Sequence, residues 1–221
     1  MPKIHPLLLI LPLLLLILLL SKFFFLPLIR PPLRGFVIPQ NSMFNGQIIE
    51  LLRKHQSPNI KNIVIFGTNH QDVGPLIISV ADPSFQSLIS TEHSYQNTFQ
   101  VAKVVYPRVS VTGYLFRPGH DYPAVFKFAD SLKTAFDPST TLFLASVDFA
   151  HYLDELTSLQ NDATTLDLLT SHNYPSLSNL TSTHTDCPDC LIAMARLFGT
   201  DHLLIPSHTY QSATSYFFMT W

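Results

Sequence analysis

The chain has 221 residues, of which 47% are hydrophobic and 13% are charged, with 13 Lys and Arg side chains against 15 Asp and Glu. This length suits one globular domain with a substantial hydrophobic core. A net charge of −2, without any cluster of basic residues in the body of the chain, argues against nucleic acid as a partner.

The amino-terminal segment is predicted to be a membrane anchor. Residues 7–20 (LLLILPLLLLILLL) are almost entirely Leu and Ile, and residues 23–29 continue the apolar run. Together they give about 23 residues, whereas a hydrocarbon core needs roughly 20. A cleaved signal peptide is the alternative, but bulky Phe residues stand where a small-residue cleavage site is expected. We therefore expect residues 1–34 to be a single-pass anchor with a Pro-rich spacer, placing the protein at a membrane, on a side that the flanking charges leave open.

Residues 35–221 are predicted to form one α/β domain. Short hydrophobic runs alternate with segments of helical spacing, which is typical of a layered domain with a largely buried sheet. The predicted strands cover residues 35–39, 62–67, 75–80, 110–116, 141–147, 202–206 and 215–220. The predicted helices cover residues 44–55, 95–105, 121–136, 153–171 and 190–198.

Three of the predicted strands end at side chains that can bind a metal or move a proton. Gln40, His70 and Asp148 stand at these ends, and His151 follows three residues after Asp148. Because ligands collect beyond the carboxyl ends of strands in open α/β sheets, we expect these side chains to converge on one crevice. A carboxylate three residues from an imidazole is well placed to orient it, so Asp148 and His151 are predicted to act together in acid–base chemistry.

Two further motifs supply candidate residues. The sequence TEHS precedes a predicted helix, where Glu92 would favour the positive end of the helix dipole and His93 would project into the crevice. The motif CPDC allows three interpretations, a redox pair, an incomplete zinc site, or a single soft ligand, Cys187, beside a buried Cys190. Only 31 residues follow Cys190, too few for a thioredoxin fold, so the third interpretation fits best.

Six segments occur in one order along the chain, and together they span residues 35–221. They are VIPQNSMFNG (37–46), IVIFGTNH (63–70), TEHSYQ (91–96), LASVDFAHY (144–152), DCPDCLIAM (186–194) and TSY (214–216). This ordered set resembles the Memo family, known in prokaryotes as AmmeMemoRadiSam system protein B. The resemblance implies an α/β fold, a three-layer α/β/α sandwich with a mixed central sheet, similar to that of class III extradiol dioxygenases.

The resemblance also implies a pocket in which two histidines and one cysteine hold an iron or copper ion. Carried over to this chain, the second histidine is His70 and the cysteine is Cys187, while the first histidine falls on Gln40. An amide oxygen is a poorer ligand than imidazole for Fe(II) or Cu, so the substitution weakens the expected site. His93 and His151 correspond to further pocket histidines.

We therefore expect a transmembrane helix followed by a Memo-like domain with a metal-binding pocket. The pocket would support redox or dioxygenase-like chemistry on a small molecule, or an accessory role beside a radical-SAM protein. The expected metal ligands are His70, Cys187 and Gln40, and the expected catalytic residues are His151, Asp148 and His93. The alternatives are a degenerate, non-catalytic binding module without metal and a C-x-x-C thiol–disulfide oxidoreductase.

Overall fold

The computed structural model describes residues 34–118 and 121–221, which form a seven-stranded sheet with helices packed against it. The strands are β1 (Gly35–Ile38), β2 (Asn62–Thr68), β3 (Ile77–Ser79), β4 (Ser110–Phe116), β5 (Thr141–Ser146), β6 (Leu204–Gln211) and β7 (Thr214–Thr220). The helices are α1 (Asn45–Lys54), α2 (Gln86–Thr91), α3 (His93–Val105), α4 (Tyr122–Ala135), α5 (Glu155–Thr170), α6 (Tyr174–Ser178) and α7 (Pro188–Phe198). Each predicted strand and helix has a counterpart, although β6 begins two residues and ends five residues later than expected, and the short helices α2 and α6 were not predicted.

The sheet is mixed, with a parallel centre and antiparallel edges. Its strand order is β3-β4-β2-β5-β1-β7-β6. Strands β4, β2, β5 and β1 run parallel to one another, whereas β3, β7 and β6 are each antiparallel to a neighbour. The carboxyl ends of β2, β5 and β1, which are adjacent in the sheet, therefore lie at one edge.

Helices cover both faces of the sheet because the central strands are apolar on both sides. In β2, Ile63 and Ile65 belong to one buried hydrophobic cluster, while Val64 and Phe66 belong to a second. Helices α1, α2 and α3 contribute to the first cluster and α4 to α7 contribute to the second. Strands buried on both faces read as continuous hydrophobic runs, which is why NIVIFGT shows no polar alternation.

The apolar stripe predicted for the third helix is present in α4. Val125, Ala129 and Leu132 are buried on the side of this helix that packs in the second cluster. Burying a side chain of the Val or Leu type stabilises a fold by about 1.5–3 kcal/mol. This packing holds α4 against α7, the helix that follows the CPDC motif's first cysteine.

The predicted fold class and membrane location need correction, because both included a transmembrane helix. Among residues 34–118 and 121–221, no helix is both long and apolar enough to cross a bilayer. The longest of them, α5, has 16 residues, whereas a span needs roughly 20 apolar residues. The part of the predicted fold class that the structure supports is the mixed α/β sheet domain. The predicted anchor segments, 7–20 and 23–29, lie outside the described residues, and the domain boundary drawn after residue 34 stays a prediction.

Candidate functional site

The residues that follow β1, β2 and β5 meet at the shared carboxyl edge of these strands. The backbone N–H of Gln40 donates a hydrogen bond to Asp148 Oδ1 over 2.8 Å. The Gln40 side chain, which is buried, donates from Nε2 to Thr68 Oγ1 at 3.2 Å and to the Ser146 carbonyl at 3.1 Å. One buried amide thus joins three strand ends that are far apart in sequence.

Several residues at this edge of the sheet contact the side chain of Asp186, which the sequence analysis did not predict as a site residue. Its Oδ2 accepts a hydrogen bond from Gln40 Nε2, and its Oδ1 accepts one from the Asp148 backbone N–H at 3.1 Å. The same Oδ2 lies 3.6 Å from His70 Nε2 and 4.0 Å from His151 Nε2. Three of the predicted residues, Gln40, His70 and His151, therefore face one buried carboxylate oxygen. An acidic residue directly before the CPDC motif was the signal that could have indicated it.

Glu92 holds the other side of His70. Its Oε1 lies 2.7 Å from His70 Nδ1, and its Oε2 accepts a hydrogen bond from the His70 backbone N–H at 3.1 Å. Glu92 also caps α3 by accepting a hydrogen bond from the Ser94 N–H, at the positive end of the helix dipole where the sequence analysis placed its charge. Its bonding to His70 was not predicted from the sequence.

The charge of His70 is fixed by these two carboxylates. Burial lowers the pKa of His70, but hydrogen bonds to Asp186 and Glu92, together with their charges, outweigh it and raise the pKa to about 10. For Glu92, burial raises the pKa, and the bonds and charge of His70 lower it further than that, so the net pKa lies below its usual value. At neutral pH the pair is an imidazolium and a carboxylate.

His93 stands next to His70 and completes a cluster of three metal-type ligands. The two imidazole rings stack with centroids 4.4 Å apart and planes 21° apart, and His93 Nδ1 lies 3.7 Å from Glu92 Oε1. One ligand atom from each of His70, Glu92 and His93 lies within 4.8 Å of the others. Two imidazoles and one carboxylate are a donor set that suits Fe(II), Zn and Cu, so these residues fit a divalent transition metal.

A polar cleft opens beside this cluster. It has a volume of about 280 Å³ and is lined by Gln40, Asn41, Ser42, His93, Asn97 and Asp148. Burial, reinforced by the charge of Asp186, raises the pKa of Asp148 to about 8. Burial lowers the pKa of His151, against the opposing charge of Asp186. At neutral pH the cleft therefore presents the protonated carboxyl group of Asp148, and the His151 imidazole is neutral.

The predicted cysteine ligand is engaged elsewhere. Cys187 is bonded to Cys190 in a disulfide, is 2% exposed and lies in the hydrophobic cluster under α7. The sulfur also accepts a hydrogen bond from the Cys190 N–H at 3.2 Å, which caps α7. In this state Cys187 offers no thiolate, so the expected set of Gln40, His70 and Cys187 does not supply three free donor atoms.

Comparisons with known proteins bear on the fold only. No family model and no curated protein matches the sequence. Among solved structures, the chain is similar to the uncharacterized protein JW3007 from Escherichia coli K12, with a TM-score of 0.50 and 11% sequence identity. The alignment covers 85% of this chain and 99% of that one. The likeness supports the α/β fold, and the Memo resemblance stays a prediction.

Proposed function

We propose that the protein is a Memo-like metal-binding protein that holds a divalent transition metal at His70, Glu92 and His93. The observation that carries this proposal is the approach of the three ligand atoms to within 4.8 Å of one another. His93 also lines the cleft, so an ion held there would face a ligand bound in the cleft. A metal in such a position acts as a Lewis acid on an oxygen-bearing ligand.

The neighbouring residues supply proton chemistry and positioning. Asp148, which is protonated at neutral pH because its pKa is raised to about 8, can donate a proton to a molecule in the cleft. Asp186 positions Gln40 and the Asp148 backbone through its two oxygens. The cleft volume of about 280 Å³ suits a small polar molecule. Involvement of a radical-SAM protein follows from the Memo resemblance alone and is kept as a hypothesis about the partner.

A metal-free binding module is the second candidate, and one observation favours it. Both nitrogens of His70 already face carboxylates, Glu92 at 2.7 Å and Asp186 at 3.6 Å. A protonated imidazole between two acids is electrostatically satisfied without an ion. In that case the cleft would bind its ligand through hydrogen bonds alone.

Metal binding by the full-length chain separates the two candidates. The wild type, His93→Ala and Glu92→Gln are loaded anaerobically with Fe(II) or Zn²⁺, and bound metal and affinity are measured. We expect each variant to lose affinity by at least about tenfold, the scale on which even supporting residues of a metal site matter. His93 is a suitable target because its side chain is 65% exposed, so its removal leaves the core intact.

Two controls sharpen the result. His184→Ala removes a histidine that contacts Thr183 and lies outside the cluster, and it should bind metal like the wild type. Cys187→Ala tests the ligand set that the family resemblance implies. Near-zero metal in the wild type would refute the proposal in favour of the metal-free module. Loss on Cys187→Ala with retention in His93→Ala would place the metal at the other set.

A further inference from the structure

The buried and exposed faces of α5 are reversed relative to an ordinary surface helix. Its buried positions are mostly polar, and they are Ser158, Asp162, Thr165 and Leu169. Leu156 and Leu159, in contrast, are 67% and 44% exposed. A surface helix normally buries its apolar stripe and leaves its polar residues in solvent. The two exposed leucines therefore contribute little to the packing of the described domain.

The exposed apolar residues of α5 have the spacing of a seam between two helices. They follow one another at steps of three, four and three residues, and we call them the α5 stripe: Leu156, Leu159, Ala163 and Leu166. This is the a/d repeat through which two α-helices pack side by side. The first three residues are exposed, and Leu166 is partly buried against the core. The α5 stripe is thus shaped to receive another helix.

A strained tyrosine stands just before the amino-terminal end of α5. Tyr152 has a backbone φ of 61°, and it is 84% exposed. The left-handed conformation is costly for a bulky residue, and such strain is concentrated at functional positions. Tyrosine is also among the residues that contribute most to binding energy at protein interfaces. The backbone therefore holds an aromatic side chain in solvent at a cost, next to the α5 stripe.

The flanks of the α5 stripe are acidic. No Lys or Arg occurs from residue 134 to residue 195. Glu155 and Asp167 are both exposed, and they occupy g and e positions when Leu156 is counted as an a position. Charges at e and g select the partner of a helix, because they face the e and g residues of the other helix. A partner with Lys or Arg at these positions is therefore favoured.

The same charges disfavour two other occupants of the α5 stripe. A second copy of this chain would bring only acidic or neutral flanks, Glu155, Gln160 and Asp167, against the same residues. Helices that lie on anionic lipid surfaces carry Lys and Arg on their polar face, and α5 has neither.

We propose that the α5 stripe, together with Tyr152, docks an amphipathic helix of a partner protein whose apolar seam is flanked by Lys or Arg. The leucines of the stripe bury against the partner's apolar residues, while Glu155 and Asp167 pair with its basic residues. Tyr152 is adjacent to His151, with the two ring centroids 5.7 Å apart, so the partner would lie next to the candidate site. This inference goes beyond the proposed metal site and does not depend on it.

Binding of a model peptide to the full-length chain tests the apolar part of the proposal. The probe is a fluorescent peptide of about 21 residues with Leu at a and d and Lys at e and g, and these lysines keep it from pairing with itself. We expect Leu156→Gln and Leu159→Gln each to weaken binding, measured by anisotropy, by at least about tenfold. Val104→Gln is the matched control, because Val104 is 56% exposed on α3 and should bind like the wild type. Equal binding by all four proteins would show unspecific attraction of a cationic peptide and refute the proposal.

A charge exchange tests the acidic flanks. The second probe is the same peptide with Glu in place of each Lys, and it should bind the wild type more weakly than the Lys peptide. In the double variant Glu155→Lys, Asp167→Lys, this order of affinities should reverse. An unchanged order would overturn the assignment of a basic partner. Light scattering adds a further criterion, since a wild-type dimer that Leu156→Gln dissociates would assign the α5 stripe to a second copy instead.

Tyr152→Gly separates a binding role of the tyrosine from a structural one. Glycine adopts positive φ without steric cost, so relief of the strain should keep or raise the Tm. Loss of the aromatic side chain should at the same time weaken binding of the Lys peptide. A lower Tm with unchanged peptide affinity would overturn the assignment of Tyr152 to the docking surface.

Discussion

Gln40→Met is expected to destabilise the fold more than the loss of an ordinary hydrogen bond. Methionine has a similar length but no donor, so the Asp186 carboxylate loses a hydrogen bond worth about 1.5–3 kcal/mol, the range for bonds to charged groups. The Ser146 carbonyl and the Thr68 hydroxyl lose the same donor. The apolar methionine side chain offsets part of this loss by its burial. We expect a net decrease in the free energy of unfolding of about 2–4 kcal/mol.

Urea unfolding at neutral pH with a chelator present measures this difference without interference from metal. Gln56→Met is the matched control, because Gln56 Nε2 donates one bond, to the Val105 carbonyl at 3.0 Å. That variant should lose about 0.5–1.5 kcal/mol. A loss for Gln40→Met no larger than the loss for Gln56→Met would show that the buried amide does not hold the strand ends together.

Three further predictions concern the surrounding fold. Burial and a neighbouring aspartate raise the pKa of Asp189 to about 7, so its bound proton stabilises the fold at low pH and this contribution is lost as the pH rises through 7. Asp189→Asn should therefore be more stable than the wild type in urea at about pH 8, with a smaller difference at about pH 5; equal differences would contradict this. Reducing the Cys187–Cys190 disulfide should cost about 2 kcal/mol for so short a loop, and the double Ser variant should not respond to the reductant. Gly113→Ala brings a Cβ into collision with the Tyr95 ring and should cost about 1–3 kcal/mol, whereas Gly46→Ala, with nothing within 4 Å of its Cβ, should not lower the Tm.

The sheet could be predicted because its signals are local. A run such as IVIFG is apolar at every position, which is typical of a short strand buried on both faces. The crevice followed from the same reasoning, since parallel strands place their carboxyl ends at one edge. Strand β6 begins two residues and ends five residues later than predicted because its side chains are mostly exposed and give a weak hydrophobic pattern.

The bonds that Asp186 and Glu92 make in the site were not predicted from the sequence, because they depend on distant partners. Asp186 is 146 residues from Gln40 and 38 residues from Asp148. No periodicity links positions so far apart. Glu92 had a sufficient local explanation near the positive end of the helix dipole. The structure makes it the N-cap of α3, and the local explanation gave no sign of the bond to His70. A residue can satisfy a local rule and still serve the site.

Two of the expected metal ligands, Gln40 and Cys187, are already bonded to other residues and do not accompany His70 as free donors. Gln40, where the Memo resemblance expects a histidine, donates a hydrogen bond from its side-chain amide to Asp186. The sulfur of Cys187 is bonded to Cys190 in a disulfide. Gln40 bonds the same Asp186 oxygen, Oδ2, that lies 3.6 Å from His70 Nε2. Of the donors that stay available, Glu92 lies 2.7 Å from His70 Nδ1, and His93 stacks on the His70 ring.

The chemistry of the remaining donors determines which metal the site selects. Thiolate favours Cu(I), whereas imidazole with carboxylate favours divalent ions such as Fe(II) and Zn²⁺. A protein that used the Nε2 side with a free Cys187 would therefore retain Cu(I) against a soft chelator. A protein that uses the Nδ1 side should release Cu(I) and keep the divalent ion. Competition between the two metals, with His93→Ala as the variant that removes a donor of the second arrangement alone, thus reports which nitrogen of His70 binds.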